Sequence, residues 1–309
     1  MPIKLVVAVT DRDWFLQLRE RPDISEVNFW APSGERPFRA LQPGELFLFK
    51  LKAPLNAIVG GGVFVHSNTM PCSLAWNTFQ EANGARSLPE MRHRIARLRG
   101  IDPASRDDFN IGCRILAQPF FLDQSERIPV PESWARTIVA FKTYSTDEPD
   151  GMALWRRVQD RLEQTGGRPL VMQEGRARFG EPVLVKPRLG QGAFRILVTD
   201  LYNRRCVVTG ERTLPALEAA HIRPFAEGGE HVPTNGLLLR RDIHSLFDAG
   251  YVTVTPEMQF LVSRRIREEF ENGRAYYALN GQPVAPPVRA ELRPDQAVLR
   301  WHNDEKFLG

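Results

Sequence analysis

Two kinds of apolar spacing divide the chain. In its first half the apolar residues alternate with polar ones or run in short blocks, the mark of strands, with helical spacing confined to a few segments. Ile3 to Val9 predicts a strand and Arg12 to Glu20 a short helix. ELFLFKLK over 45–52 alternates after the turn Gln42-Pro43-Gly44, and AIVGGGVFV over 57–65 predicts another strand. Gly60, Gly61 and Gly62 in that strand permit a bulge or a close backbone approach. A helix is predicted over 88–98, with further strands near 112–117 and 137–141. Leu154, Val158 and Leu162 recur every four residues in a helix over 150–164, which Gly166, Gly167 and Pro169 end.

Residues 166–187 are rich in Gly, Pro and basic side chains and predict a linker or a domain edge. Beyond them the pattern changes. A helix runs to about Asn203, and an apolar run over 217–222 is closed by Pro224 and the Gly228-Gly229 loop. A second apolar run over 236–239 leads into a helix over 240–249 that Gly250 stops. A hairpin over 251–255 and 259–263 and a helix over 264–272 follow. The expected organisation is α+β: a domain over 1–145, a helix and linker over 146–187, and a second domain over 188–309.

Composition narrows this only a little. A chain of 309 residues is long enough for two cores. Charged residues are 25% of it and the net charge is +4, which permits a polyanionic partner. The three cysteines, Cys72, Cys113 and Cys206, are scattered and odd in number, which excludes a disulfide framework and fits a reducing, cytoplasmic setting. No CxxC pair offers a zinc knuckle. The first apolar run is too short for a signal peptide, and no segment has the length of a membrane helix.

The chemistry concentrates between Leu217 and Gly250. His221, Asn235, His244 and Asp248 stand there among apolar runs that have no need of them. Residues four apart on a helix share a face, so the His244 imidazole and the Asp248 carboxylate can both reach one cation. A hydrolytic reading follows. His221, with no covalent nucleophile beside it, takes a proton from water, while a divalent ion on His244 and Asp248 steadies the phosphate oxygens and the leaving group. Asn235 orients the His221 ring or a bound water. Isolated histidines elsewhere, His66, His93, His231 and His302, read as hydrogen-bonded core or surface.

At Cys206 to Gly210, Leu217 to Ile222 and Asn235 to Asp248 the chain resembles the HNH endonuclease superfamily, in the branch written C-x-V-T-G, L-E-A-A-H-I and N-G-L-L-L-R-x-D-I-H-x-L-F-D. The resemblance implies a ββα-metal fold with His221 as general base, Asn235 positioning it, His244 a part of the catalytic set, and His244 and Asp248 as metal ligands. Many members carry a metal-binding residue just before the base, where this chain has Ala220. Glu218 is the candidate replacement, and because residues 218 and 221 face opposite ways on a regular strand, that role calls for a bulge or a water bridge. Oxygen ligands favour Mg²⁺ or Mn²⁺, and the imidazole widens the choice to Co²⁺ or Ni²⁺. In this branch a similar R-x-G-Q-x-x-F-R element precedes the core; here it runs from Arg188 through Gln191 to Arg195. Its helix start is expected to hold a phosphate, with Arg195, Arg204, Arg205, Arg240 and Arg241 adding cationic contacts to DNA.

The order of strands in the first domain, with a Pro-Gly turn before one strand and a glycine-broken strand after it, looks like the PUA superfamily, whose EVE, ASCH and SRA members read modified bases. The resemblance implies a strand-rich PUA-like β-barrel with a pocket for a flipped nucleotide. Trp14, Phe29, Trp30 and Trp76 are its candidate aromatics and Asn28 a candidate polar reader, with Trp30 favoured because 28–34 reads as a loop. A base reader joined to an HNH cutter resembles modification-dependent restriction enzymes acting on double-stranded DNA that carries modified cytosine, and cutting two strands calls for a homodimer. The alternatives are an HNH endonuclease indifferent to modification, or a nucleic-acid-binding protein with a degenerate site.

Overall fold

The computed structural model describes residues 2–309 apart from 22, 36, 103, 106, 165–183 and 186. Most of the expected linker therefore lies outside the described residues. Contacts divide the chain into two units, Met1–Ala193 and Phe194–Gly309.

The first unit is built on one mixed sheet. Its strands are β1 (Lys4–Thr10), β2 (Glu26–Asn28), β3 (Leu46–Leu51), β4 (Ala57–Pro71), β5 (Asn110–Phe121), β6 (Ile128–Pro129) and β7 (Phe141–Ser145). They lie in the order β2-β5-β4-β3-β1-β7, with β6 on β4. β1 and β3 pair in parallel and the other pairs are antiparallel. Among the described residues no pairing joins β2 to β7, so the sheet is open where the PUA resemblance implies a barrel. The glycine expectation holds: at Gly61 a Cβ would lie 2.7 Å from the Phe47 carbonyl oxygen, at Gly60 it would collide with that of Phe120, and the ladder shifts register between Gly61 and Val63.

The alternation over 45–52 predicts a strand with one wet face, yet every residue of β3 is buried. Both faces are covered. On one, Phe47 and Phe49 join Phe29 and Trp14 in an aromatic cluster with ring centroids 4.7 to 6.2 Å apart. On the other, Leu46 and Leu48 share a core with Leu5, Val7 and the residues Leu154, Trp155, Val158 and Leu162 of a helix over Pro149–Gln164. That helix, expected in the linking segment, is part of this core because its apolar stripe needs the sheet. Four further helices precede and follow it: α1 (Arg12–Arg19), α2 (Cys72–Phe79), α3 (Leu88–Arg99), then the Pro149–Gln164 helix as α4, and α5 (Gln191–Leu201), which begins at the end of the first unit.

The second unit has two small antiparallel sheets, β8 (Leu217–His221) with β9 (Gly236–Arg240), and β10 (Val252–Val254) with β11 (Phe260–Val262). Helices α6 (Arg241–Asp248), α7 (Arg265–Phe270), α8 (Arg274–Tyr277) and α9 (Gln296–Glu305) complete it. Its core gathers Phe194 and Val198 of α5, Leu237 to Leu239 of β9, Ile243 and Phe247 of α6, and Leu299 of α9. α6 buries Ile243 and Phe247 and turns His244 and Asp248 outward, so the hairpin and helix meet along one polar edge.

Candidate active site

β8 and β9 form a ladder without irregularity, Leu217 opposite Arg240 and His221 opposite Gly236, and α6 starts at the residue after β9. This strand, loop, strand, helix order brings the expected residues together. Glu218 Oε2 lies 2.9 Å from His244 Nδ1, and Asp248 Oδ2 lies 3.3 Å from His244 Nε2. The strand carries no bulge at Glu218, whose side chain reaches His244 from a regular ladder. Its other oxygen takes a 2.9 Å ion pair from Arg241.

The electrostatics follow from this crowding. Burial alone would raise the Glu218 carboxyl, but the hydrogen bond and charge of His244, with Arg241 and Arg195, outweigh it and hold the group below its ordinary range. Asp248 is pushed up, by burial first and then by the negative charge of Glu218, against the opposing effect of His244. Among the described residues no three metal-binding side chains stand ready around a common point. The donors suit a divalent ion as a pair: Glu218 and Asp248 stand at opposite nitrogens of the His244 ring, so an ion on Nε2 would take Asp248 with it while Glu218 holds the ring through Nδ1.

His221 closes β8 a little away from that cluster. Phe194 stacks flat on its ring, centroids 3.9 Å apart and planes 11° apart. Its Nε2 lies 2.9 Å from Nδ1 of His231. Burial, and then the neighbouring His231 and His244, lower its pKa to about 4, so the ring is neutral near pH 7 and has a lone pair to offer.

Asn235 sits elsewhere than expected. It is buried, and its amide spans the loop between the strands: Nδ2 donates to the Arg223 and Glu230 carbonyls and Oδ1 accepts from Arg223 N–H, all at 2.9 Å. Among the described residues its amide makes no hydrogen bond to the His221 ring. Its own backbone carbonyl accepts from Ile222 N–H at 3.0 Å. Gly229 makes room for this, since a Cβ there would strike the Arg223 carbonyl and come within 2.9 Å of Asn235 Nδ2.

The expected DNA contacts are scattered. The start of α5 does not present free N–H groups to a phosphate, because the Glu26 carboxylate already accepts from Gly192 N–H at 2.6 Å and Ala193 N–H at 2.8 Å. Burial raises the Glu26 carboxyl against those bonds. Arg240 is bound bidentately by Asp242 at 2.6 and 2.7 Å, Arg204 pairs with Asp200 at 3.2 Å, and Arg241 is committed to Glu218. Arg188, Gln191 and Arg205 are exposed, and Arg195 is half-buried near Glu218 and Arg241.

In the first unit a cavity of about 280 Å³ collects Trp14, Phe29, Trp30 and Phe47 with Asp11, Lys52, Arg114 and Phe141. Trp30 is in it but is not an exposed loop residue: Ala31 bridges to Gly112, the ring is 9% exposed, and Nε1 donates to the Asn83 carbonyl at 2.8 Å. Asn28 points away, into Asn83 Oδ1 and Cys113 Sγ, and Trp76 on α2 does not line the cavity. Arg114 is what the sequence reading missed. Its guanidinium lies 4.9 Å over Phe38, burial lowers its pKa, and among the described residues Nε has no hydrogen-bond partner and no carboxylate pairs with it. One charged residue within the apolar run over 112–117 was the only available signal.

The HNH endonuclease family matches residues 206–255. No curated protein matches the chain significantly. Among solved structures, the modification-dependent restriction endonuclease TagI is similar at TM-score 0.30 and 14% identity, over 98% of this chain and 81% of that one. A mutant ZmASCH protein from Zymomonas mobilis is similar at TM-score 0.30 and 9% identity, over 48% of this chain and 92% of that one.

Proposed function

We propose that this protein, which carries an HNH endonuclease domain over residues 206–255, is a metal-dependent DNA endonuclease directed to DNA containing modified cytosine. The observation that carries the nuclease reading is the row Glu218, His244 and Asp248, joined through the two nitrogens of the His244 ring, at the edge of a β-hairpin whose first strand ends in the neutral, ring-stacked His221. His221 takes the proton of a water as its oxygen attacks phosphorus in line, and the leaving oxygen departs on the opposite side. His244 and Asp248 would hold the divalent ion, which when bound neutralises charge on the phosphate oxygens and the leaving group, and Glu218 would brace the His244 ring through Nδ1. Asn235 keeps the 223–230 loop closed, so the end of β8 does not drift. An arriving phosphate anion raises the basicity of His221 from its depressed starting point.

The preference for modified cytosine rests on the first unit's cavity. Its aromatic walls offer stacking faces for a base rotated out of the duplex. Arg114 supplies donors for the acceptors O2 and N3 of a cytosine edge, and Asp11, one of whose oxygens caps α1 at 3.0 Å, has the other for the exocyclic amine. Cutting both strands with one site per chain calls for two copies.

The test is digestion of one plasmid sequence, unmodified, 5-methylcytosine-modified or hydroxymethylcytosine-modified, with Mg²⁺ or Mn²⁺. Cleavage of a modified form alone is expected. Equal cleavage of all three would leave the nuclease and remove the reader.

A further inference from the structure

The contact between His221 and His231 joins the proposed general base to a residue that the motif does not contain. We infer that His231 is a positioning residue for that base: its Nδ1 accepts the Nε2–H of His221 and thereby keeps the His221 lone pair on Nδ1, available to the attacking water. The inference rests on the nuclease reading above.

Three observations lead to it. The two ring nitrogens are 2.9 Å apart, so one N–H is shared between them. Burial lowers the pKa of both rings, that of His221 to about 4, so near neutral pH neither is an imidazolium and one nitrogen of each is an acceptor. Each ring is also clamped in its plane, His221 on Phe194 and His231 on Phe225 at 4.7 Å and 4°. Two neutral tautomer arrangements satisfy the bond. If His231 donates, the only basic nitrogen of His221 is consumed by the contact and the ring is no base. If His221 donates, its Nδ1 is free. Only the second permits proton abstraction, and a fixed neighbour that accepts at Nε2 enforces it, as a carboxylate or carbonyl does for other catalytic histidines. No step transfers the proton to His231; the residue selects a tautomer and an angle.

Three variants separate the hydrogen bond from packing. His231→Phe keeps the stack on Phe225 and removes the acceptor. His231→Asn places an amide oxygen near the Nδ1 position and removes the ring. His231→Ala removes both. On DNA that the wild type cleaves, Phe and Ala variants are expected to lose roughly 10–100-fold in kcat with KM little changed, and Asn to recover most of the loss. A Phe variant with wild-type kcat, or an Asn variant as slow as Ala, would overturn the proposal. A second readout needs no activity. In the wild type the ring nitrogens of ¹⁵N-labelled His221 should show a protonated Nε2 and a bare Nδ1; a protonated Nδ1 would refute the assignment directly. A wild type that cuts no DNA of any modification brings down the nuclease reading instead, and the ring nitrogens still decide the tautomer.

Discussion

His302 shows how a side chain of catalytic type can be wholly structural. It is 2% exposed, its Nδ1 is 2.8 Å from the Thr253 hydroxyl, its Nε2 is 3.1 Å from the Phe247 carbonyl, and it stacks on Phe247 at 3.7 Å. Burial lowers its pKa to about 4, against the smaller opposing effect of the Phe247 bond. The unfolded chain, with an ordinary histidine, takes up a proton near pH 6.5 while the folded one does not, so stability falls as pH drops through that window. Between pH 7 and pH 5 the expected loss from this residue is about 2 kcal/mol. Urea unfolding at the two pH values checks it, since His302→Gln should shrink the difference by that amount and leave the part owed to His221 and His231. His231 is the contrasting case. Both histidines read alike as sequence, and only the partner across the contact, a hydroxyl and a carbonyl for one and another imidazole for the other, separates packing from chemistry.

The loop between β8 and β9 holds the site as an element, and its weak point is Asn235. Asn235→Ala would leave the Arg223 N–H and the Arg223 and Glu230 carbonyls without their partner in a tight turn. A destabilisation of about 2–3 kcal/mol is expected, with cleavage falling further than stability alone requires. Chemical denaturation of the variant, with cleavage measured well below its midpoint, separates the two. The placing of His244 and Asp248 on one helix face, after a strand over 217–222, was legible in sequence because short-range spacing dictates it and needs no tertiary knowledge. The mode of action of Asn235 was not, since whether an amide binds a ring or a backbone depends on the path of a loop. Nor was the support from α9, whose Trp301 lies 5.2 Å beneath the Arg223 guanidinium and whose His302 anchors Phe247. The tail carries no motif and matters only through contacts some fifty to eighty residues away in the chain. In the first unit β1, β3, β4 and β5 were legible from their apolar runs, while β2 and β6 were not and the strand expected near 137–141 lies at Phe141–Ser145; the burial of both faces of β3 came from α4 and the aromatic cluster, which a two-residue period cannot reveal.

At the scale of the molecule, each unit has its own core, and the proposed reader and the proposed cutter lie in different ones. Recognition and hydrolysis are then separable by mutation. His221→Ala removes the proton acceptor without touching the carboxylates, His244 or the cavity at Trp14, Phe29 and Arg114. It should abolish cleavage while its binding to a modified duplex, followed by fluorescence anisotropy at fixed salt, keeps the wild-type preference over the unmodified one. Arg114→Gln should do the reverse. It leaves the aromatic walls standing and replaces an unpaired, desolvated cation by an amide, so preference for modified DNA falls by roughly 10-fold or more, the worth of one specific base contact. Cleavage at high enzyme concentration survives, because non-specific attachment through phosphates does not depend on that side chain. The comparison has to be made as a ratio of the two substrates, since a general loss of DNA affinity lowers both alike. If Arg114→Gln weakens both duplexes equally, the cavity contributes charge and not recognition, and selection of modified DNA would have to come from elsewhere in the protein.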